Sequence, residues 1–319
     1  EERDERSKWD FVTLATGMVV FDVQAAFDDY WNSASVYEVG RVITATPDLD
    51  ALRMRMISVD DSAKVANLKG QLRNSIERLR SGEITPEWTR VQLIVDDPIK
   101  GTGSARKDQL MITRLTDVLG NVEQRLDLVS AYFIPGQTGS AYFEHLAQNG
   151  KSVAVLTNAM NTTDVLIVHA GYARYRRKLL RAGIRLYELK LRGPMSAESD
   201  QQIRPLGLSG GSLHAKTFAV DGQRVFIGSF NFDPRSALLN CEMGLLIESQ
   251  YIAARIHEAF DQGVASFSYR PQLTPEDRIV WTEIVDGRDT ITYQEEPGAS
   301  WFQRITLAIV KLLPVEWLL

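Results

Sequence analysis

The chain has 319 residues, 44% of them apolar and 24% charged, the proportions of a globular protein able to bury a sizeable core. A formal net charge of −5 argues against a general nucleic-acid binder, which needs a strongly basic face to displace counterions. The single cysteine, Cys241, excludes a disulfide within the chain, and no apolar run reaches the length of a membrane span.

Residues 1–8 form a charged stub. Val12 to Asp28 (VTLATGMVVFDVQAAFD) reads as an apolar strand, a small turn and an amphipathic helix. The same order returns at Leu245 to Asp261 (LLIESQYIAARIHEAFD), an internal repeat. Residues 51–82 are polar, helical in their second half, and read as a connector between lobes. VQLIVDDPIK (91–100) is a strand running into a loop with Asp96, Asp97 and Lys100. Strands and helices then alternate: LDLVSAYF (126–133), a helix ending at Gly150, KSVAVLTN (151–158), a helix ending at Gly183, and IRLYEL (184–189) before a polar SAESDQQ loop. This order predicts an α/β fold, with mixed sheets flanked by helices in two pseudo-symmetric lobes. The expected division is 1–50 as the remainder of a first lobe, 51–105 as connector and lobe edge, 106–270 as a second lobe, and 271–319 as an extension. At the C-terminus Trp301, Phe302, Ile305, Ile309, Leu312 and Leu313 recur at helical spacing, which suits a helix lying in a membrane interface or one closing the core.

The chemistry concentrates between Leu213 and Glu242. His214, Lys216, Asp221, Gly228, Ser229 and Asn231 form the pattern H-x-K-x4-D-x6-G-S-x-N. Six fixed positions at about 5% usage each occur by chance on the order of once in 10^7–10^8 starts. LHAKTFAV (213–220) reads as a strand, so His214 and Lys216 emerge on one face about 7 Å apart. Asp221-Gly222 is a hairpin turn signal, and RVFIGSF (224–230) returns as the partner strand. Ser229 and Asn231 then stand where that strand ends, and Asp233-Pro234 reads as the cap and first residue of a helix. An imidazole, an ammonium and an amide converging at strand ends form a phosphate site containing a nucleophile or proton donor.

In-line transfer through a covalent intermediate needs a nucleophile on one side of phosphorus and an acid on the other. Of the four histidines, His145, His169, His214 and His257, only His214 stands in an H-x-K. Superposing the two repeat units carries the counterpart of His214 to a position before residue 1. The expectation is that a longer protein holds the first motif upstream; the competing expectation is a one-motif protein that completes its site as a homodimer.

The H-x-K…G-S-x-N pattern is the signature of the phospholipase D superfamily. SAYFIPG (130–136), residues 156–189, GSFNFDPRSALLNCEMGLLIES (228–249) and the closing EEPGASWFQRITLAIVKLLPVEWLL resemble bacterial cardiolipin synthases, most closely their C-type subgroup. The resemblance implies a phosphatidyltransferase needing no metal or cofactor, which passes a phosphatidyl group through a phosphohistidine to the hydroxyl of phosphatidylglycerol, with phosphatidylethanolamine as a donor. It implies work at the bacterial inner membrane, peripherally or anchored through upstream sequence. It makes His214 a catalytic histidine, places Lys216 and Asn231 on the phosphate oxygens with Ser229 in support, and gives Glu242 the role of orienting the imidazole. Asp221 belongs to the signature, although its place in the turn suits a structural part. The alternatives are a phosphodiesterase of the same superfamily using water, on lipid or nucleic acid, and a half-site that only binds lipid phosphates. A basic run at 174–192, with Arg174, Arg176, Arg177, Lys178, Arg181, Arg185, Lys190 and Arg192, reads equally as a headgroup-attracting patch or as a salt-bridged helix face.

Overall fold

The computed structural model describes residues 13–43, 48–60, 63–163, 165–190, 213–285 and 289–298. Its contacts divide the chain into residues 36–89 and a larger unit of 1–35 with 90–319. The smaller unit is helical, with α2 (Val39–Val42), α3 (Leu49–Asp60) and α4 (Ala63–Arg80), so the connector forms helix along most of its described length and not only in its second half. The two-unit division cuts across the four-part reading: residues 90–105 pack with the larger unit because strand β1 lies there.

The larger unit is built on one ten-stranded mixed sheet. Its strands are β1 (Val91–Val95), β2 (Arg125–Ser130), β3 (Ser152–Asn158), β4 (Arg185–Leu189), β5 (Lys216–Val220), β6 (Arg224–Gly228), β7 (Met243–Glu248), β8 (Ser268–Leu273), β9 (Ile279–Val285) and β10 (Asp289–Tyr293). Their spatial order is β1-β7-β6-β5-β2-β3-β4-β8-β9-β10. Strands β2, β3 and β4 run parallel and every other pair is antiparallel. Helices α5 (Met111–Gly120), α6 (Gly136–Gln148) and α7 (Leu166–Arg181) share one apolar cluster with Leu126, Leu128, Phe218 and Phe226. After the short α8 (Pro234–Leu238), helix α9 (Gln250–Glu258), its continuing π turn and α10 (Val264–Phe267) share the other with Val129, Ala154, Ala219 and Val225. The period-two alternation of the central strands thus feeds two cores, and helices cover both faces.

The α/β class and the mixed sheet follow the sequence expectation. The pairing of two equivalent strand-helix units does not. Residues 13–16 are irregular, and the helix half of that unit is α1 (Val19–Trp31). On α1 only Val19 is buried, whereas Phe21, Phe27 and Trp31 are exposed. On the second unit Ala253, Ile256 and Phe260 are buried against the sheet. Local amphipathicity is enough to set a helix, but a strand depends on the neighbour that pairs with it. The interfacial-helix reading of 301–319, the polar 196–202 loop and the 1–8 stub lie outside the described residues.

Candidate active site

Strands β5 and β6 form the predicted hairpin, with Thr217 opposite Ile227 and Val220 opposite Arg224. Asp221 and Gly222 take φ of 54° and 67°, the left-handed backbone that an Asp-Gly turn supplies. The Asp221 carboxylate accepts the backbone amides of Glu123, Gln124 and Arg125 at 2.8–2.9 Å. Burial alone would raise its pKa, yet these three amides and the Arg224 charge hold it below the ordinary carboxylate value. Asp221 lies at the opposite end of β5 from Lys216, about 16 Å along the strand. It therefore pins the hairpin to the start of β2, and its place among catalytic residues is corrected to a structural one.

The other end of the hairpin carries the site. Lys216 opposes Ser130 at the C-terminal end of β2, where the parallel strands finish. His214 and Lys216 are half-buried and line a cavity of about 390 Å³ together with Gly228, Ser229, Gly244 and Thr13. The Lys216 ammonium donates to the His214 carbonyl at 2.5 Å, which folds it back over the entry to its own strand. The Ser229 hydroxyl receives the Met243 amide at 3.0 Å and donates to the Met243 carbonyl at 3.3 Å, fastening the ends of β6 and β7. Asn231 is buried beyond Ser229, its side-chain oxygen accepting the Tyr132 amide at 3.3 Å.

Two glycines let β6 and β7 meet beneath this cavity. Gly228 and Gly244 are register partners, and the Phe226 ring lies across them. A Cβ on Gly228 would sit 2.5 Å from the Met243 carbonyl oxygen and 2.7 Å from both the Gly244 Cα and the Phe226 ring, so backbone as well as side chain would have to yield. Gly228→Ala is expected to lower stability by about 1–3 kcal/mol, read as a shift in the denaturation midpoint. An unshifted midpoint would show that the two strands have room to part.

Behind the cavity lies a buried polar cluster that the sequence did not reveal as a unit. Asp96 and Lys100 form an ion pair at 2.7 Å, about 1% and 2% exposed. Asp96 also accepts the amides of Met111 and Glu242 at 2.6 and 2.9 Å, and Lys100 donates to the Ser236 carbonyl at 2.8 Å. The Glu242 carboxylate accepts the Ser236 hydroxyl at 3.0 Å. A Glu242–His214 hydrogen bond is not among the contacts of the described residues, so Glu242 stands beside the site with its carboxylate directed to Ser236. Asp233 caps α8, accepting the Ser236 amide at 2.8 Å.

Burial pushes the Asp233 carboxyl up to about 6, against the pull of the Ser236 and Arg235 amides and with the Glu242 charge adding to it. The folded state then holds this proton more tightly than the unfolded chain, whose aspartates titrate near 3.9. Its favourable contribution is complete below the unfolded pKa and is lost as pH rises through about 6. Asp233→Asn keeps a capping side chain without the charge, so the fall in stability between pH ~4 and ~6 should flatten in this variant. Denaturant titrations across that window check it, and parallel profiles for the two proteins would contradict it.

The remaining histidines are engaged away from the cavity. His145 contacts Asn149 at the end of α6. His169 is buried on α7 against Glu296 and Arg176. His257 receives the Gly222 amide on Nε2 at 3.0 Å and therefore carries its proton on Nδ1, which donates to Asp127 at 2.6 Å. The basic run resolves into separate pairs: Arg177 and Arg181 with Asp277, Lys178 with Glu144, Lys190 with Glu283, and Arg176 buried. These residues are engaged in separate pairs or buried rather than forming one continuous patch; Arg192 lies outside the described residues. Tyr132 is half-buried and Phe133 is fully in the core.

A family model described as "Cardiolipin synthase, PLD-like domain" matches residues 115–264. The chain is 40% identical over 314 residues to cardiolipin synthase C of Escherichia coli (strain K12), a match covering 97% of this chain and 66% of that protein. It is 24% identical over 185 residues to cardiolipin synthase A of Edwardsiella ictaluri (strain 93-146), covering 58% of this chain and 34% of that one. Among solved structures, phosphatidylserine synthase of Haemophilus influenzae Rd KW20 aligns with a TM-score of 0.52 at 14% identity, over 94% of this chain and 61% of that one, a likeness of fold. The chain thus spans about two thirds of the length of the Escherichia coli protein and about one third of the Edwardsiella one. Through residues 115–264, which carry the H-x-K strand and the G-S-x-N turn, the chain belongs to the phospholipase D-like family.

Proposed function

We propose that this chain supplies one half of the active site of a cardiolipin synthase, a phosphatidyltransferase working on phospholipids at a membrane surface. The observation that carries the reading is the cavity in which His214, Lys216 and Ser229 meet at the strand ends, in a chain so extensively similar to cardiolipin synthase C. Lys216 and Asn231 bind the non-bridging oxygens of the donor phosphate, and Ser229 holds the β6–β7 junction that positions them. His214 is one of two histidines flanking phosphorus. The second comes from an upstream lobe or a second copy, because His145, His169 and His257 are engaged elsewhere.

The chemistry balances as a double displacement. One histidine nitrogen attacks phosphorus, and the bond to the donor's head alcohol breaks as the other histidine protonates the departing oxygen. The hydroxyl of phosphatidylglycerol, deprotonated by that second histidine, then attacks the phosphohistidine and yields cardiolipin. With phosphatidylethanolamine as donor the leaving alcohol is ethanolamine; with phosphatidylglycerol it is glycerol. Among the described residues no helix is long and apolar enough to cross a membrane. The proposed location is the bacterial inner membrane, held peripherally or through upstream sequence.

The test is product analysis by the assembled enzyme in vesicles of phosphatidylethanolamine and phosphatidylglycerol. Cardiolipin with released ethanolamine or glycerol is expected. Phosphatidic acid as the dominant product would replace the transferase reading with hydrolysis.

A further inference from the structure

A second cavity is lined by residues on either side of Asn231 in the chain. It is floored by Leu119, Ile134, Phe143 and Phe230 and walled by Phe232 and Tyr142, with a volume of about 260 Å³. Phe230 and Phe232 are the chain neighbours of Asn231, and both Phe133 and Ile134 are tied to Phe232, by a β-bridge and by an amide–carbonyl bond of 2.7 Å. One carboxylate, that of Asp233, lines the cavity, and it is taken by Ser236. The Tyr142 hydroxyl donates to the Leu119 carbonyl at 2.8 Å, so the ring presents its apolar body. At the rim Thr116 and Thr138 are exposed.

We propose that this groove between α5, α6 and α8 holds one acyl chain of the lipid whose phosphate is bound at His214 and Lys216. The inference rests on the phosphatidyltransferase reading and extends it to the apolar part of the substrate. A phospholipid's chains begin one glycerol unit from its phosphate, and the groove begins at the residues flanking Asn231. Apart from Asp233, whose carboxylate is held by Ser236, its lining offers mainly aromatic and aliphatic carbon, which suits a hydrocarbon better than a headgroup. Its size sets the stoichiometry: pockets that enclose drug-sized ligands run ~300–1,000 Å³, so this one takes a segment of a single chain and not both. The other chain stays with the bilayer. Burying each methylene contributes about a fourfold gain in affinity.

The 319-residue chain is titrated with inorganic phosphate and with alkyl monophosphates from butyl to decyl below their micelle-forming concentrations. For the unaltered protein the dissociation constant should fall about fourfold per added methylene until the groove is full, then level off. Thr138→Trp places an indole at the rim and into the groove, so it should abolish the chain-length dependence while leaving the affinity for inorganic phosphate unchanged. A decyl phosphate carrying a terminal diazirine needs no mutation, and its crosslinks should map to residues 112–142 and 230–237. An unaltered chain-length slope in folded Thr138→Trp, or crosslinks confined to other segments, overturns the groove. Phosphate binding that survives Lys216→Ala intact sinks the phosphate-site reading instead, and the crosslink map then still decides where the chain lies.

Discussion

Replacing His214 by Ala in the assembled enzyme will lower the rate of cardiolipin formation by about 10^3–10^6-fold. The lower figure corresponds to loss of a general acid and base, the upper to loss of a nucleophile. His214 stands half-buried at the start of β5, beside the Lys216 ammonium and above the Gly228–Gly244 junction. No other described histidine lines that cavity, so none can substitute for it. Lys216→Ala should cost less, about 10^2–10^3-fold, because it removes charge stabilisation at phosphorus while both histidines remain. Initial rates with saturating lipid check both, with circular dichroism to show that the variants fold. A His214→Ala protein retaining a tenth or more of the native rate would place the chemistry elsewhere.

The second large effect concerns stability. Arg176 is only 2% exposed, with its Nε 2.8 Å from a Glu188 oxygen and an Nη 2.7 Å from a Glu296 oxygen. Its guanidinium lies over the rings of Tyr172 and Trp281 at 4.8 and 5.2 Å. Glu188 further accepts the Tyr172 hydroxyl and the Trp281 indole N–H, each at 2.9 Å. Burial works against the Arg176 charge, but the two carboxylates hold it well above its ordinary pKa. Glu296 is driven the other way: burial opposes its ionisation, and Arg176 and His169 overcome that and lower it. Arg176→Met leaves Glu188 buried without a cationic partner and Glu296 with His169 alone, and should cost about 3–5 kcal/mol. Glu296→Gln should cost less, since Arg176 keeps Glu188. Because the cluster joins α7, β4, β9 and the turn after β10, the Arg176 variant should also expose residues after 268 to protease. A Met variant within ~1 kcal/mol of the parent would show that the cluster does not hold these elements together.

The β5–β6 hairpin and the positions of His214 and Lys216 were legible because they are local: alternation, an Asp-Gly turn and fixed spacing need no distant partner. Strands β8, β9 and β10 were not separated from the C-terminal extension. Their alternation in RIVWTEIV and DTITY could have marked them, but their place beside β4 depends on pairing across some 80 residues of chain. Asp96 and Lys100 read only as part of the loop after β1, and nothing local marks them as buried, since charged residues are seldom fully buried. Their burial comes from Ser236, which lies 136 positions from Lys100 and supplies a carbonyl that no local pattern announces. The same distance effect explains Glu242. Its spacing from His214 suggested a direct contact, whereas the local α8 turn hands it the Ser236 hydroxyl. In the basic run, charge was visible but its neutralisation was not, since Glu144, Asp277 and Glu283 arrive from other elements.

In the proposed reaction a phosphatidyl group travels through a histidine at the His214 cavity. The most direct measurement stops turnover of labelled phosphatidylglycerol by the assembled enzyme in alkali, which preserves phosphorus–nitrogen bonds, and locates the label on the protein. An acid-labile phosphatidyl adduct on a histidine nitrogen is expected, formed at a rate that supports turnover and chased into cardiolipin by added phosphatidylglycerol. Cardiolipin accumulating with no protein-bound label, or with the label on a serine or carboxylate, would contradict it.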